Sequence, residues 1–295
     1  MADLEGLKRQ ISTASDLQSV VKTMKGLAAV SIRQYEKAVE SLVHYSRTVE
    51  LGLHVVLRNH PESSVGVWNS SPKCKLAAIV FGTDQGMCGQ FNDQIANYAI
   101  GKMNEAVGNA DRRMVVAVGA RLVGRLEDGG QPTEEAFSLP GSLSAINPLV
   151  QELLARMQQW MADETINGVW LFYNHHERGS AFFPHCLPLF PLDRNWLGRL
   201  KSLKWPTKML PQHTMDSGPL FSALVRQYIY VSVFRALAES LAAENAARLA
   251  AMQAAEKNIE ERLNDLHGEF HRERQMSITE ELLDIVGGFE ALASD

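Results

Sequence analysis

Cysteine is scarce and scattered. Cys74, Cys88 and Cys186 are odd in number and form no CxxC pair, so neither a disulfide framework nor a zinc site is supported. A reducing compartment is the natural reading. Positive charge is not in excess either: 29 basic against 34 acidic residues leave a net charge of −5. That balance gives no electrostatic footprint for nucleic acid or an anionic membrane surface and points to protein partners. No apolar run approaches the roughly 18 residues that a membrane-spanning helix needs, so no transmembrane segment is expected. The opening "MADLEGLKRQ" has neither the apolar core of a signal peptide nor the Arg/Ser-rich character of a transit peptide.

Proline is missing from both ends: none precedes Pro61 and none follows Pro219. Long helices can fill those stretches. Alternating steps of three and four from Leu4 reach Leu7, Ile11, Ala14, Gln18, Val21, Lys25, Ala28, Ile32, Tyr35, Val39, Leu42, Ser46, Val49, Leu53 and Val56. Only Gln18, Lys25 and Ser46 break the apolar series. A 3.5-residue spacing of this length is a coiled-coil seam. Near the other end, apolar steps run Leu224, Tyr228, Val231, Ala238, Ala242, Leu249, Met252, Ile259, Leu263, Leu266, Phe270, through an alanine-rich stretch. Alanine favours helix and admits close backbone approach. The register breaks at "HRERQMS" and restarts one residue displaced at Ile278, Leu282, Ile285, Phe289 and Leu292.

Between the helices, "KLAAIVF", "RRMVVAVG" and "NGVWLFYN" read as short buried strands. Helical segments follow at about 93–107, 120–127 and 142–162. Strands alternating with helices imply a small α/β domain, Rossmann-like, with a largely parallel sheet. The Pro-rich "FFPHCLPLFPLDRNW" closes it, with room for an edge strand. The expected division is a coiled-coil helix over 1–58, an α/β domain over 72–212 and a second coiled-coil helix over 213–295. Both helices are rooted on the middle domain, so they pair antiparallel. The second is longer by roughly 20 residues, and its apolar tip needs a partner protein to cover it.

The stretch "FGTDQGMCGQFN" sits between a strand and a helix, where phosphates are often held. It lacks the Lys-Ser/Thr ending of a P-loop and does not fit G-x-G-x-x-G, and Asp84 sets a carboxylate where a phosphate would lie. The expected role is a tight structural turn, with backbone freedom from Gly86 and Gly89 and Cys88 as a small buried filler. His175, His176 and His185 with Glu177 lack fixed helical spacing and read as surface groups, not as a metal site. No nucleophile-base pair stands at a recognisable spacing, so no catalytic residue is assigned.

Four motifs, in order and spaced end to end, resemble the gamma subunits of F-type rotary ATP synthases. They are "VVKTMKGLAAV", "FGTDQGMCGQFN", "ENAARLAAMQAAEKN" and "RQMSITEELLDIVGGFEAL". The resemblance implies a rotor shaft that performs no bond chemistry and holds no cofactor or metal. It turns inside a ring of alternating alpha and beta subunits, one gamma to three of each, while its base joins the epsilon subunit and the membrane-embedded c ring. It implies contacts with a beta subunit through Arg274, Gln275 and Thr279, and through Lys22, Met24 and Lys25. It also implies a peripheral place on the cytoplasmic face of a bacterial plasma membrane. Ser31, Gln85 and the single acid Asp216 depart from the family pattern, as in a divergent or alternative branch. Two other readings stand beside it: a coiled-coil scaffold or adaptor with an α/β domain, and a nucleotide-dependent α/β enzyme with helical arms.

Overall fold

A computed structural model describes residues 2–59, 75–162, 166–177, 181–205, 208–209, 211 and 213–293. The domain boundaries at 72 and 212 lie outside those residues. The elements in chain order are α1 (Ala2–Asn59), β1 (Lys75–Phe81), α2 (Phe91–Ala106), β2 (Arg113–Val118), α3 (Ala120–Asp128), β3 (Glu135–Phe137), α4 (Ile146–Ala162), β4 (Ile166–His176), β5 (Phe182–Phe190), α5 (Arg194–Ser202) and α6 (Ser217–Ala293). The chain divides into two compact units, one of residues 1–28 with 249–295 and one of residues 29–248.

The larger unit is built on a five-stranded sheet in the order β3-β2-β1-β4-β5. β3, β2, β1 and β4 are parallel, and β5 runs antiparallel to β4 at the edge. Pro184 and Pro188 are tolerated there because an edge strand has one row of amides with no ladder to serve. β1 is buried on both faces, and its side chains alternate between two cores. Leu76, Ala78 and Val80 pack with Ile95, Ala99 and Met103 of α2 and Leu122 and Leu126 of α3. Ala77, Ile79 and Phe81 pack instead with Val150, Leu153 and Trp160 of α4, with Tyr35 of α1 and with Val233, Leu237 and Leu241 of α6. The two long helices thus serve as a layer of this unit. A third cluster joins Val49, Leu53 and Leu57 of α1 to Leu197 and Leu200 of α5.

In the smaller unit, the start of α1 and the end of α6 run as a pair. Every seam position expected on α1, from Leu4 to Val56, is buried or half-buried, Gln18, Lys25 and Ser46 included. On α6 the matching stripe holds through Met252, Ile259, Leu263, Leu266 and Phe270. Beyond Phe270 the half-buried positions are Glu273 and Ser277, which continue the original spacing. The displaced stripe does not take over within this chain: Ile278, Leu282 and Ile285 are exposed, as are Leu283 and Val286. The side chains of Phe289 and Leu292 lie outside the described residues. β3 and α5 were not foreseen. β3 spans three residues, too few for a periodic signal, and α5 follows a Pro-rich run that hides it, capped where the Asp193 side chain accepts from the Asn195 amide.

Candidate functional site

The Gly-rich stretch folds as a turn whose polar groups serve one another. The Thr83 amide donates to Asn92 Oδ1 at 3.0 Å, Asn92 Nδ2 donates to Thr83 Oγ1 at 2.8 Å, and the Thr83 hydroxyl donates to the Gln85 carbonyl at 2.8 Å. Asp84 faces inward. One carboxylate oxygen accepts from the Ala120 amide at the start of α3, the other from the Leu139 amide, each at 2.8 Å. It thereby satisfies one of the donors that a helix N-terminus leaves open. Gly119, just before α3, has φ +117°, and a Cβ there would stand 2.6 Å from the Thr83 amide nitrogen, so only glycine fits. Within the turn, Gly89 takes φ +59° and Met87 takes φ 63°. Gly86 has open space within 4 Å and no positive φ, so the second left-handed residue is Met87 and not the glycine that sequence reasoning favoured. Cys88 is buried with Phe91, against Ala243 and Ala247 of α6, and burial pushes its thiol pKa up. The turn therefore anchors the sheet to α6.

Two carboxylates on that part of α6 are buried. Glu244 accepts from Arg248 Nη2 at 2.6 Å, and burial, opposed by Arg248, raises its pKa. Glu239 binds Arg235 Nε at 2.6 Å and His175 Nδ1 at 2.8 Å. His176 reaches Glu36 of α1 at 3.3 Å, and His185 packs edge-on against the ring of Tyr173. The adjacent histidines at the end of β4 thus each reach a carboxylate, one on each long helix. The Glu177 amide closes the β4–β5 hairpin on the Ala181 carbonyl at 3.0 Å.

In the smaller unit, Arg274, Gln275 and Thr279 lie on one stretch of α6, all exposed, with the Thr279 hydroxyl donating to the Gln275 carbonyl at 2.9 Å. Gln275 and Thr279 line a groove of about 710 Å³ with Glu269, Arg272, Met276 and Leu7. On α1, Lys22 is exposed and Met24 half-buried, while Lys25 is engaged across the pair by Glu256. Glu256 was not singled out by sequence reasoning. Its signal was available, because it occupies the seam step between Met252 and Ile259.

The structure does not bring the two sets together: Gln275 and Thr279 stand beside Leu7, whereas Lys25 stands beside Glu256. Among the described residues no helix is long and apolar enough to cross a membrane.

Comparison with known proteins gives a consistent picture. The sequence model of the family described as ATP synthase matches residues 3–292. The ATP synthase gamma chain of Sinorhizobium medicae is 27% identical, over 99% of this chain and 100% of that protein. The gamma chain of Brevibacillus brevis is 23% identical, over 97% and 98%. A chain of the Euglena gracilis mitochondrial ATP synthase, solved as OSCP, F1 and c-ring, shares the fold with a TM-score of 0.64 and 16% identity, over 99% of this chain and 95% of that one. A chain from the central stalk and c-ring of the Tetrahymena thermophila enzyme gives 0.56 and 21%, over 80% and 99%.

Proposed function

We infer what this chain does from the family to which it belongs, the gamma chains of ATP synthase. It is the central rotor shaft of an F-type ATP synthase, a non-catalytic subunit that couples rotation of the membrane c ring to nucleotide binding changes in the alpha/beta ring. The structural observation that carries the reading is on α6. With 77 residues it exceeds the 58 of α1 by 19, and its far end, past the last half-buried position at Ser277, exposes Leu282, Leu283, Ile285 and Val286. A solitary amphipathic helix end with that much apolar surface is poorly stable in water, and an enclosing protein ring removes the exposure.

In this reading the alpha and beta subunits, three of each to one of this chain, receive the α6 end. A single shaft in a threefold ring makes a different contact with each copy, which is how one element selects among partner conformations. Arg274, Gln275 and Thr279 contact a beta subunit, and Lys22 and Met24 of α1 make a second contact at the separate level of Lys25 and Glu256. Guanidinium and amide groups suit a contact that forms and separates at each step of a turn. The larger unit meets the epsilon subunit and the c ring. The chain works at the cytoplasmic face of a bacterial plasma membrane, driven by protons or sodium ions.

The test is co-expression with alpha and beta subunits, followed by native mass and ATPase activity. A complex of three alpha, three beta and one of this chain is expected. Arg274→Ala with Gln275→Ala should assemble but lower turnover about tenfold, as the loss of one or two charge-assisted contacts would. A chain that ignores alpha and beta and forms homodimers would sink the shaft reading. Full activity in the double variant would remove only the proposed contact.

A further inference from the structure

The two long helices break their apolar seams at the same level, and they do so with opposite charges. On α1, Lys25 stands between Val21 and Ala28; on α6, Glu256 stands between Met252 and Ile259. Their side chains meet directly, Lys25 Nζ donating to Glu256 Oε2, with 35% and 20% of the respective side chains exposed. Val21, Ala28 and Met252 around them are buried and Ile259 is half-buried.

A charge at a seam position costs desolvation, and only a matched partner offsets it. The match here holds in one register. If the helices slipped by a heptad, Lys25 would face Leu249 or Leu263, and Glu256 would face Gln18 or Ile32. Either slip sets the Lys25 ammonium against a leucine, while Glu256 meets Gln18 in one and Ile32 in the other. A polar pair inside an otherwise apolar seam is the device by which coiled coils select register, at some cost in stability.

We propose that Lys25 and Glu256 are a register lock of the paired ends of α1 and α6 in the smaller unit, positioning residues that fix which level of one helix end faces which level of the other where the larger core no longer holds them. The lock sets which level of α1 the α6 residues Arg274, Gln275 and Thr279 stand beside, Gln275 and Thr279 sharing a groove with Leu7. Lys25 then acts through Glu256 and not by touching a beta subunit. The consequence for rotation rests on the gamma-chain reading; the consequence for the helix pair does not.

Charge exchange in the full chain tests the lock. Lys25→Glu or Glu256→Lys alone should lower the melting temperature by about 3 °C, and the two together should recover most of that loss. Loss with Lys25→Glu, none with Glu256→Lys and no recovery in the double variant would overturn the lock in favour of an external contact for Lys25.

A second arm covers variants that fail to fold. Lys25→Met with Glu256→Leu fills the seam and should keep the fold. Spin labels at exposed positions 13 and 265, in a background with the native cysteines replaced, should then report a broadened distance distribution where the parent seam gives a narrow one. An unchanged narrow distribution would overturn the proposal. In the assembled complex, each single charge reversal should uncouple ATP hydrolysis from ion pumping, and the exchange should restore coupling. If the parent chain does not assemble with alpha and beta, the gamma-chain reading fails, while the melting and distance measurements still decide the lock.

Discussion

Asp84 shows how a residue's chemistry and its context divide the work. A carboxylate after a strand and before a glycine argues against phosphate on charge alone, and that much needs no coordinates. What the carboxylate does instead depends on two amides distant in sequence, those of Ala120 and Leu139. Asp84→Ala strands both donors and should cost about 1.5 kcal/mol in urea unfolding, with Asp84→Asn recovering part, since an amide has one accepting oxygen.

Cys186 makes a second residue-scale case. Burial pushes its thiol from the ordinary 9.0 up to about 12, with Lys102 opposing. The folded chain therefore keeps a proton that the unfolded chain releases. Its contribution to stability is complete below pH 9 and is lost as pH rises towards 12. Burial moves Tyr173 and Tyr228 in the same direction. Melting temperature against pH should fall across that window, and Cys186→Ala should fall less steeply than the parent.

At the scale of elements, the two long helices were legible because their signals are long: no proline, sustained 3–4 spacing and abundant alanine. The seam on α1 holds at every step, even at Gln18, Lys25 and Ser46, because pairing along the whole helix outweighs a few polar positions. β1, β2 and β4 were legible as runs of buried apolar residues, whereas β3, parallel as well, is too short to show a period. The end of α6 behaves differently. Its side chains from Glu280 to Val286 are all exposed, so they add nothing to the packing of the chain. Removing residues 280–295 should shift the melting temperature by less than about 2 °C, yet weaken assembly with alpha and beta subunits on native mass. A large loss of stability would mean that this end packs within the chain.

For the whole molecule, function follows from what the chain leaves uncovered and not from a pocket. Its buried ionisable groups pair with one another or with the backbone: Glu244 with Arg248 and Glu239 with Arg235 along α6, Glu239 also with His175 of β4, and Arg113 on the Val107 carbonyl and the Gln131 side chain. Its exposed apolar groups on α6 await a partner. Native mass and turnover of the complex, with the Arg274 and Gln275 variants, read that division directly.

The amino-acid sequence by itself determined the periodic features. Two helices with a coiled-coil seam, the strand-helix alternation between them, and the unsuitability of the Gly-rich turn for phosphate all come from local spacing and side-chain chemistry. Tertiary structure decided whatever depends on residues far apart in the chain. It set β5 antiparallel beside β4, turned Asp84 onto α3, gave the left-handed conformation to Met87 beside Gly89 while Gly86 stayed unconstrained, and brought Glu256 against Lys25. The reason is physical. A period repeats every few residues and can be read along the chain, whereas a matched pair of charges or a donor and its acceptor acquires meaning only when folding brings the partners within hydrogen-bond distance.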